Sequence, residues 1–244
     1  EHSMTVTGMG GKIPAQKAEL FIGNAGTAAR FLSAFLTLGQ GEYILDGEPR
    51  MRERPIGDLV EALAQLGCDI QPLQKVEGGK QICTPVKIIA SGLKGGKTKI
   101  AGDISSQFLS ALLMTAPYAQ APIEVELTTD LNSKPYVDMT IAIMKDFGVE
   151  IQRDEYSRFT IHPSSFFPLS SYAIESDASA ASYFFAAPSI CGGTVKVENI
   201  SRKSVQGDIA FLDVLKQMGC EVEETNNSIT VHGPSSIVGI DVDM

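Results

Sequence analysis

The sequence predicts an α/β protein built from a repeated unit of strand, helix, strand, helix, strand, strand. Three observations predict it. Three segments open alike: Gly23-Asn24-Ala25-Gly26-Thr27, Gly102-Asp103-Ile104-Ser105-Ser106-Gln107 and Ser176-Asp177-Ala178-Ser179, with starts 79 and 74 residues apart. Later in each unit an apolar, helix-spaced run ends on the same break: Leu66-Gly67-Cys68, Phe147-Gly148-Val149 and Met218-Gly219-Cys220. Short β-rich runs fill the gaps, among them Tyr43–Leu45, Ile123–Leu127 and Thr194–Val197.

Each element follows from its residues. The Gly, Asn, Asp and Ser of the openings are helix N-cap chemistry. The stretches Phe31–Leu38, Phe108–Ala116 and Tyr183–Ala187 are apolar on all sides, which predicts helices buried all round. The second helix of each unit is amphipathic. Its apolar positions are Ile56, Leu59, Val60, Leu63 and Leu66, then Val137, Ile141 and Met144, then Phe211, Leu212, Leu215 and Met218. The glycine after each suits a left-handed C-cap. Thr5-Val6-Thr7-Gly8 resembles the closing strands Phe159–His162 and Ile229–His232, and Gly239–Met244 resembles the approach to another unit. The sequence is therefore expected to be an internal stretch of a longer array.

Composition narrows the function. The 244 residues are 43% hydrophobic and 20% charged, an ordinary globular balance. A net charge of −9 argues against general nucleic-acid binding, although a local arginine cluster still accommodates anions. Cys68, Cys83, Cys191 and Cys220 form no CxxC pair, and His2, His162 and His232 are scattered, so a disulfide framework or metal site is not expected. There is no signal-peptide core at the start and no apolar run of membrane-spanning length. A soluble, cytoplasmic protein without nucleic-acid or membrane partners is the expectation.

Several short segments can carry chemistry. Ser105 and Ser106 at a helix start make a phosphate cradle, because the terminal N–H groups and the helix dipole favour an anion; plain capping is the alternative. Gly23–Thr27 offers the same chemistry, with small residues for close approach and the amide of Asn24. In Arg50-Met51-Arg52-Glu53-Arg54-Pro55, alternation puts three guanidinium groups on one side of an extended segment, with Pro55 opening a helix. Such forks suit carboxylate and phosphate; a solvated run paired to Glu48 and Glu53 is the alternative. Ser133-Lys134-Pro135-Tyr136 precedes the second amphipathic helix as Arg54-Pro55 precedes the first, so Ser133 and Arg54 are expected to face one cleft, and Ser201–Asp208 holds the same place in the third unit. Asp103 and Asp177 read as caps.

Taken together, these motifs resemble the 5-enolpyruvylshikimate-3-phosphate synthase family. Leu20–Arg30 (LFIGNAGTAAR) and Arg50–Gly57 (RMRERPIG) are similar to two family signatures, and SSQFLSALLM from Ser105, SKPYVD from Ser133 and SDASAASY from Ser176 follow in order. The resemblance implies inverse α/β barrel-like domains of βαβαββ units, of which the chain would hold about three of six. It places residues 1–172 in an N-terminal domain and 173–244 in a C-terminal one, with a hinge in 170–175. It implies phosphoenolpyruvate binding by Asn24, Gly26, Thr27, Arg54 and Gln107, and shikimate 3-phosphate binding by Ser105, Ser106, Gln107 and Ser133, with Arg30, Arg50 and Tyr136 in support. Phe31 stands where many members have proline, beside residues that the family links to the herbicide glyphosate.

The reaction so implied transfers the enolpyruvyl group of phosphoenolpyruvate to the 5-hydroxyl of shikimate 3-phosphate in the shikimate pathway, without cofactor or metal. The family's catalytic acid and base match no residue of this chain, so they are expected in missing segments of the same enzyme, and the chain alone is expected to be inactive. The alternatives are the sister enzyme acting on UDP-N-acetylglucosamine and a non-catalytic binding module of the same fold.

Overall fold

The computed structural model describes residues 3–74, 81–164, 166 and 169–242. The chain divides into two units, Glu1–Pro168 and Leu169–Met244. The first unit contains two copies of the repeat. The first copy runs β1 (Lys17–Phe21), α1 (Gly26–Phe35), β2 (Gln40–Asp46), α2 (Gly57–Gln65), β3 (Asp69–Pro72) and β4 (Val86–Ser91). The second runs β5 (Gly96–Ile100), α3 (Ser106–Thr115), β6 (Ile123–Leu127), α4 (Lys134–Asp146), β7 (Ile151–Asp154) and β8 (Arg158–Ile161). Their sheets have the same topology, β1-β2-β4-β3 and β5-β6-β8-β7. In each, the first two strands are parallel across the first helix, and the last two form an antiparallel hairpin.

The amphipathic helices end as their glycines predict. Gly67, Gly148 and Gly219 have φ of +83°, +83° and +100°. In each case the glycine N–H bonds back three residues and the next N–H bonds back five: Cys68 to Leu63, Val149 to Met144, Cys220 to Leu215. This is a Schellman closure, repeated three times, and it buries Val149 and Cys220 against their helices.

The main core of the first unit joins both copies. Leu59, Leu63, Phe108, Leu109, Leu112, Val125, Val137 and Phe159 lie in one buried cluster, each worth roughly 1.5–3 kcal/mol of apolar burial. Tyr43, Leu45, Ile56, Val86 and Ile88 form a second beneath the first sheet. Polar bonds join the copies as well: Thr98 Oγ1 donates to the Ala62 carbonyl at 2.8 Å, and Gln65 Nε2 donates to Lys99 O at 3.1 Å while Gln65 Oε1 accepts from Lys99 N at 2.8 Å.

Burial on all sides is found only for α3, where every residue from Phe108 to Leu113 is buried, with α1 and α4 packed beside it. Helix α1 leaves Phe35 40% exposed. In the second unit, α5 (Ala178–Cys191) buries Ala178, Ala181, Phe185 and Pro188 but leaves Tyr183 79% and Ile190 78% exposed. Helices α1 and α5 each leave large apolar side chains exposed, so apolar composition overstates the burial of those two.

The second unit continues with β9 (Thr194–Glu198), α6 (Phe211–Gln217), β10 (Glu221–Glu224) and β11 (Ser228–His232) in an antiparallel sheet of order β10-β11-β9. The opening strand expected before α5 does not form. The segment there is held instead by isolated bonds: Ser176 N donates to Asn199 O at 2.8 Å, Ser176 Oγ to Glu198 O at 2.9 Å, and Asn199 Nδ2 to Ile174 O at 2.9 Å. Residues 5–8 and 239–242 likewise carry no regular structure, because among the described residues no strand pairs with them; Asp243 and Met244 lie outside those residues.

Candidate functional site

The N-termini of α1, α3 and α4 are linked in the first unit by side chains that the sequence singled out. Helix α1 starts at Gly26 with Ala25 as its cap residue, and α3 starts at Ser106 with Ser105 as its cap residue, in both cases without a capping side-chain hydrogen bond. Their first N–H groups are thus not satisfied by side-chain caps, which leaves the positive end of each dipole available to an anion. The capping reading holds for α5, where Asp177 Oδ1 accepts from Ala180 N at 2.9 Å and Gln206 Oε1 accepts from Ala178 N at 2.7 Å. It does not hold for Asp103, whose Oδ1 instead accepts from Thr129 Oγ1 at 2.9 Å.

The three arginines do not share a side. Met51 is fully buried and draws residues 51–53 into a 3-10 turn, which breaks the alternation that an extended segment would give. Arg50 pairs with Glu53 at the surface at 2.6 Å. Arg52 forks onto Asp46 at the end of β2, with Nε–Oδ1 at 2.9 Å and Nη2–Oδ2 at 2.6 Å. Arg54 alone reaches α1. Its Nη1 points at the Asn24 carbonyl at 3.5 Å, and its guanidinium fills the space where a side chain on Gly26 would start: a Cβ there would stand 2.4–2.5 Å from Nη2, Cζ and Nη1. Only glycine admits this contact. Pro55 does not open the helix either; α2 begins two residues later, after Ile56 N donates to Ile82 O at 2.8 Å.

Arg30, one turn into α1, is half-buried and lies over the Phe108 ring with Cζ 5.5 Å from its centroid. Its Nη1 donates to Gln107 Oε1 at 2.5 Å, while Gln107 Nε2 donates to Thr27 Oγ1 at 3.2 Å. Gln107 therefore ties the first turn of α3 to the first turns of α1. Burial, and then the charge of Arg54, lower the pKa of Arg30. Its Nε is buried with no partner among the described residues. Among those residues neither Arg30 nor Arg54 pairs with a carboxylate, whereas Arg50, Arg52, Arg153 and Arg202 do.

Ser133 precedes α4 in a left-handed conformation, φ +56° and ψ +46°. Asn132 beside it donates through N to Gly102 O at 3.0 Å and through Nδ2 to Asp103 O at 2.7 Å, which places the Ser133 loop against the one leading to Ser105 and Ser106. Tyr136 lies in the first turn of α4, with N donating to Ser133 O at 3.1 Å. Ser105 is half-buried and Ser106 is 7% exposed. Asn24, Gly26, Thr27, Arg30, Arg54, Gln107, Ser105, Ser106 and Ser133 thus lie along one bonded series of loops and helix starts, from which Arg50 stands apart. Sequence reasoning missed Thr129 and Asn132; the run Thr128-Thr129-Asp130-Leu131-Asn132 carried the available signal, since Thr and Asn in loops bond neighbouring backbone. Among the described residues no three His, Cys, Asp or Glu gather where a metal would be held, and no helix is long and apolar enough to cross a membrane.

Two guanidinium groups over open helix starts, on a βαβαββ frame, form an arrangement chemically suited to small anions. The family model for EPSP synthase (3-phosphoshikimate 1-carboxyvinyltransferase) matches residues 1–244, and the chain belongs to that family. It is 50% identical over 242 residues to the 3-phosphoshikimate 1-carboxyvinyltransferase of Shewanella denitrificans, and 51% identical over 240 residues to that of a Sulfurovum species, covering 98% and 97% of this chain. The chain spans 55% of the length of each of these curated relatives. A solved EPSP synthase from Acinetobacter baumannii shares the fold, with a TM-score of 0.71 at 22% identity over 93% of this chain and 50% of that one. The match favours this family over the sister transferase.

Proposed function

We propose that this chain supplies the substrate-holding floor for enolpyruvyl transfer from phosphoenolpyruvate to shikimate 3-phosphate. The observation that carries the reading is the pair Arg30 and Arg54, without a carboxylate partner among the described residues, over the uncapped start of α1 and joined through Gln107 to the start of α3. Arg54 with the N-terminus of α1, beside Asn24, Gly26 and Thr27, is assigned to phosphoenolpyruvate. Ser105, Ser106 and Ser133 are assigned to the phosphate of shikimate 3-phosphate, with Gln107 between the two ligands and Tyr136 at the α4 side.

In the transfer the 5-hydroxyl gives its proton to a base as its oxygen bonds to C2 of phosphoenolpyruvate, and the methylene takes a proton from an acid. The C2–O bond to phosphate then breaks while a methyl proton leaves, restoring the double bond. The residues of this chain hold and align two anions, and fixed positive charge in a partly desolvated setting is worth more than in water. The acid and base of these steps are assigned to no residue of this chain. A cytoplasmic setting is proposed with this function, and residues 1–172 and 173–244 are assigned to an N-terminal and a C-terminal domain.

Calorimetric titration of the 244-residue chain with shikimate 3-phosphate tests the reading. Binding weakened about tenfold or more in Ser105→Ala/Ser106→Ala is expected, as for the loss of charge-assisted hydrogen bonds. No binding by the wild-type chain, or unchanged binding by the variant, overturns it. Turnover by the same sample would contradict the absence of an acid and base.

A further inference from the structure

We propose that Thr129 and Asn132, acting through the loop at Asp103, are positioning residues that set the two serine loops at the spacing a phosphate needs. The inference rests on the shikimate 3-phosphate reading above. The loop after β6 and the loop after β5 lie so close that a Cβ on Gly102 would stand 2.8 Å from Thr129 O and 2.9 Å from Asp130 O. One hydroxyl serves three bonds there: Thr129 Oγ1 accepts from Gly102 N at 2.9 Å and from Asp103 N at 3.2 Å, and donates to Asp103 Oδ1 at 2.9 Å. Asn132 closes the other side through its bonds to Gly102 O and Asp103 O, at 3.0 and 2.7 Å. The two peptide groups that lead into Ser105 are therefore held by side chains and backbone that lead into Ser133.

This clamp does two things for an anion. It fixes the start of α3 relative to the start of α4, so hydroxyls from two different loops face one phosphate with little freedom left to lose on binding. It also holds the Asp103 carboxylate on the Thr129 hydroxyl, which fixes where that group stands relative to the serine loops. The left-handed backbone of Ser133, at φ +56°, is costly for an L-residue and persists where its neighbours over-determine it; Asn132, pinned at two points, is such a neighbour. Neither Thr129 nor Asn132 needs to touch the substrate for this to work.

The test compares shikimate 3-phosphate with shikimate as calorimetric ligands of the 244-residue chain, in Thr129→Val, Asn132→Ala and Thr129→Ser. Asn132 is exposed, so its truncation leaves the core intact, and thermal unfolding checks each variant. Thr129→Val and Asn132→Ala are expected to weaken shikimate 3-phosphate about tenfold, the scale of one lost hydrogen bond to a charged group. Shikimate itself should bind unchanged, and Thr129→Ser, which keeps the hydroxyl, should stay within about twofold of wild type. Unchanged shikimate 3-phosphate affinity in both disruptive variants overturns the clamp. So does an equal loss for both ligands, because a merely structural role would not distinguish the phosphate. If the wild-type chain binds no shikimate 3-phosphate, the functional reading fails first and the clamp has nothing to position.

Discussion

Replacing Gly26 with alanine separates the contact between α1 and Arg54 from the stability of the fold. The added methyl would begin 2.4–2.5 Å from the Arg54 guanidinium, and ordinary contact starts near 3.4 Å, so something must give by about 1 Å. The helix start is built into the buried face of the first unit, whereas among the described residues the Arg54 guanidinium is tethered only by a 3.5 Å bond to the Asn24 carbonyl. The guanidinium is therefore the part that moves. Alanine is favoured over glycine within a helix by at most about 1 kcal/mol, and Gly26 is only the first helical residue, so the melting temperature should change by no more than about 3 °C. Binding is another matter. A charge-assisted hydrogen bond is worth about 1.5–3 kcal/mol, and a guanidinium displaced by 1 Å loses at least one, a factor of about 10 to 150 in affinity. Titration of phosphoenolpyruvate into the chain saturated with shikimate 3-phosphate should show that loss, alongside an unchanged affinity for shikimate 3-phosphate. Equal phosphoenolpyruvate affinity in wild type and Gly26→Ala would refute the assignment of Arg54. A large fall in melting temperature would show that the helix, not the arginine, yields.

Two further perturbations probe the frame. Gly67→Ala should destabilise the first unit by about 1–2 kcal/mol through backbone strain alone, since φ there is +83° and the new methyl meets only Lys94 Cδ, at an unstrained 3.7 Å; urea denaturation showing no loss would contradict the Schellman reading. In the second unit, the Arg202 guanidinium holds the Asp213 carboxyl below its ordinary pKa. A lowered folded-state pKa contributes stability above the ordinary value near 3.9 and loses it as pH falls through the lowered one. Asp213→Asn should therefore melt below wild type at about pH 7, and the two should converge as pH falls through the lowered folded-state pKa. A gap that persists in acid would exclude the ion pair as its cause.

The periodic features were the legible ones. The Leu66-Gly67-Cys68 type of ending combines helical spacing with the residue that adopts positive φ without steric cost, so local chemistry decides it, and all three copies close in the same way. The small-residue openings likewise located the starts of α1, α3 and α5. What failed depended on distant neighbours. The arginine run looked extended because nothing local shows that Met51 will turn inward and curl the segment. The segment before α5 has strand-like residues in Tyr172 and Ile174 but is held by scattered bonds to Glu198, Asn199, Ser204 and Gln206 rather than by a strand ladder. The exposed Tyr183 and Ile190 show that apolar composition records what a helix can bury, not what stands beside it. The Thr129–Asp103–Asn132 bonds join residues 26 to 29 apart, beyond the reach of any periodic pattern.

Gln65 carries a consequence of its own. Its amide both gives to and takes from the peptide groups of Lys99, as a neighbouring strand would, so a helix side chain from one copy occupies the outer edge of the next copy's sheet. That edge is closed to strand pairing by a foreign chain, a common route to aggregation. The Lys99 amide proton also becomes a reporter. It is held by no strand of its own sheet, so the rate at which it exchanges with solvent reports how often the Gln65 side chain lets go of that edge.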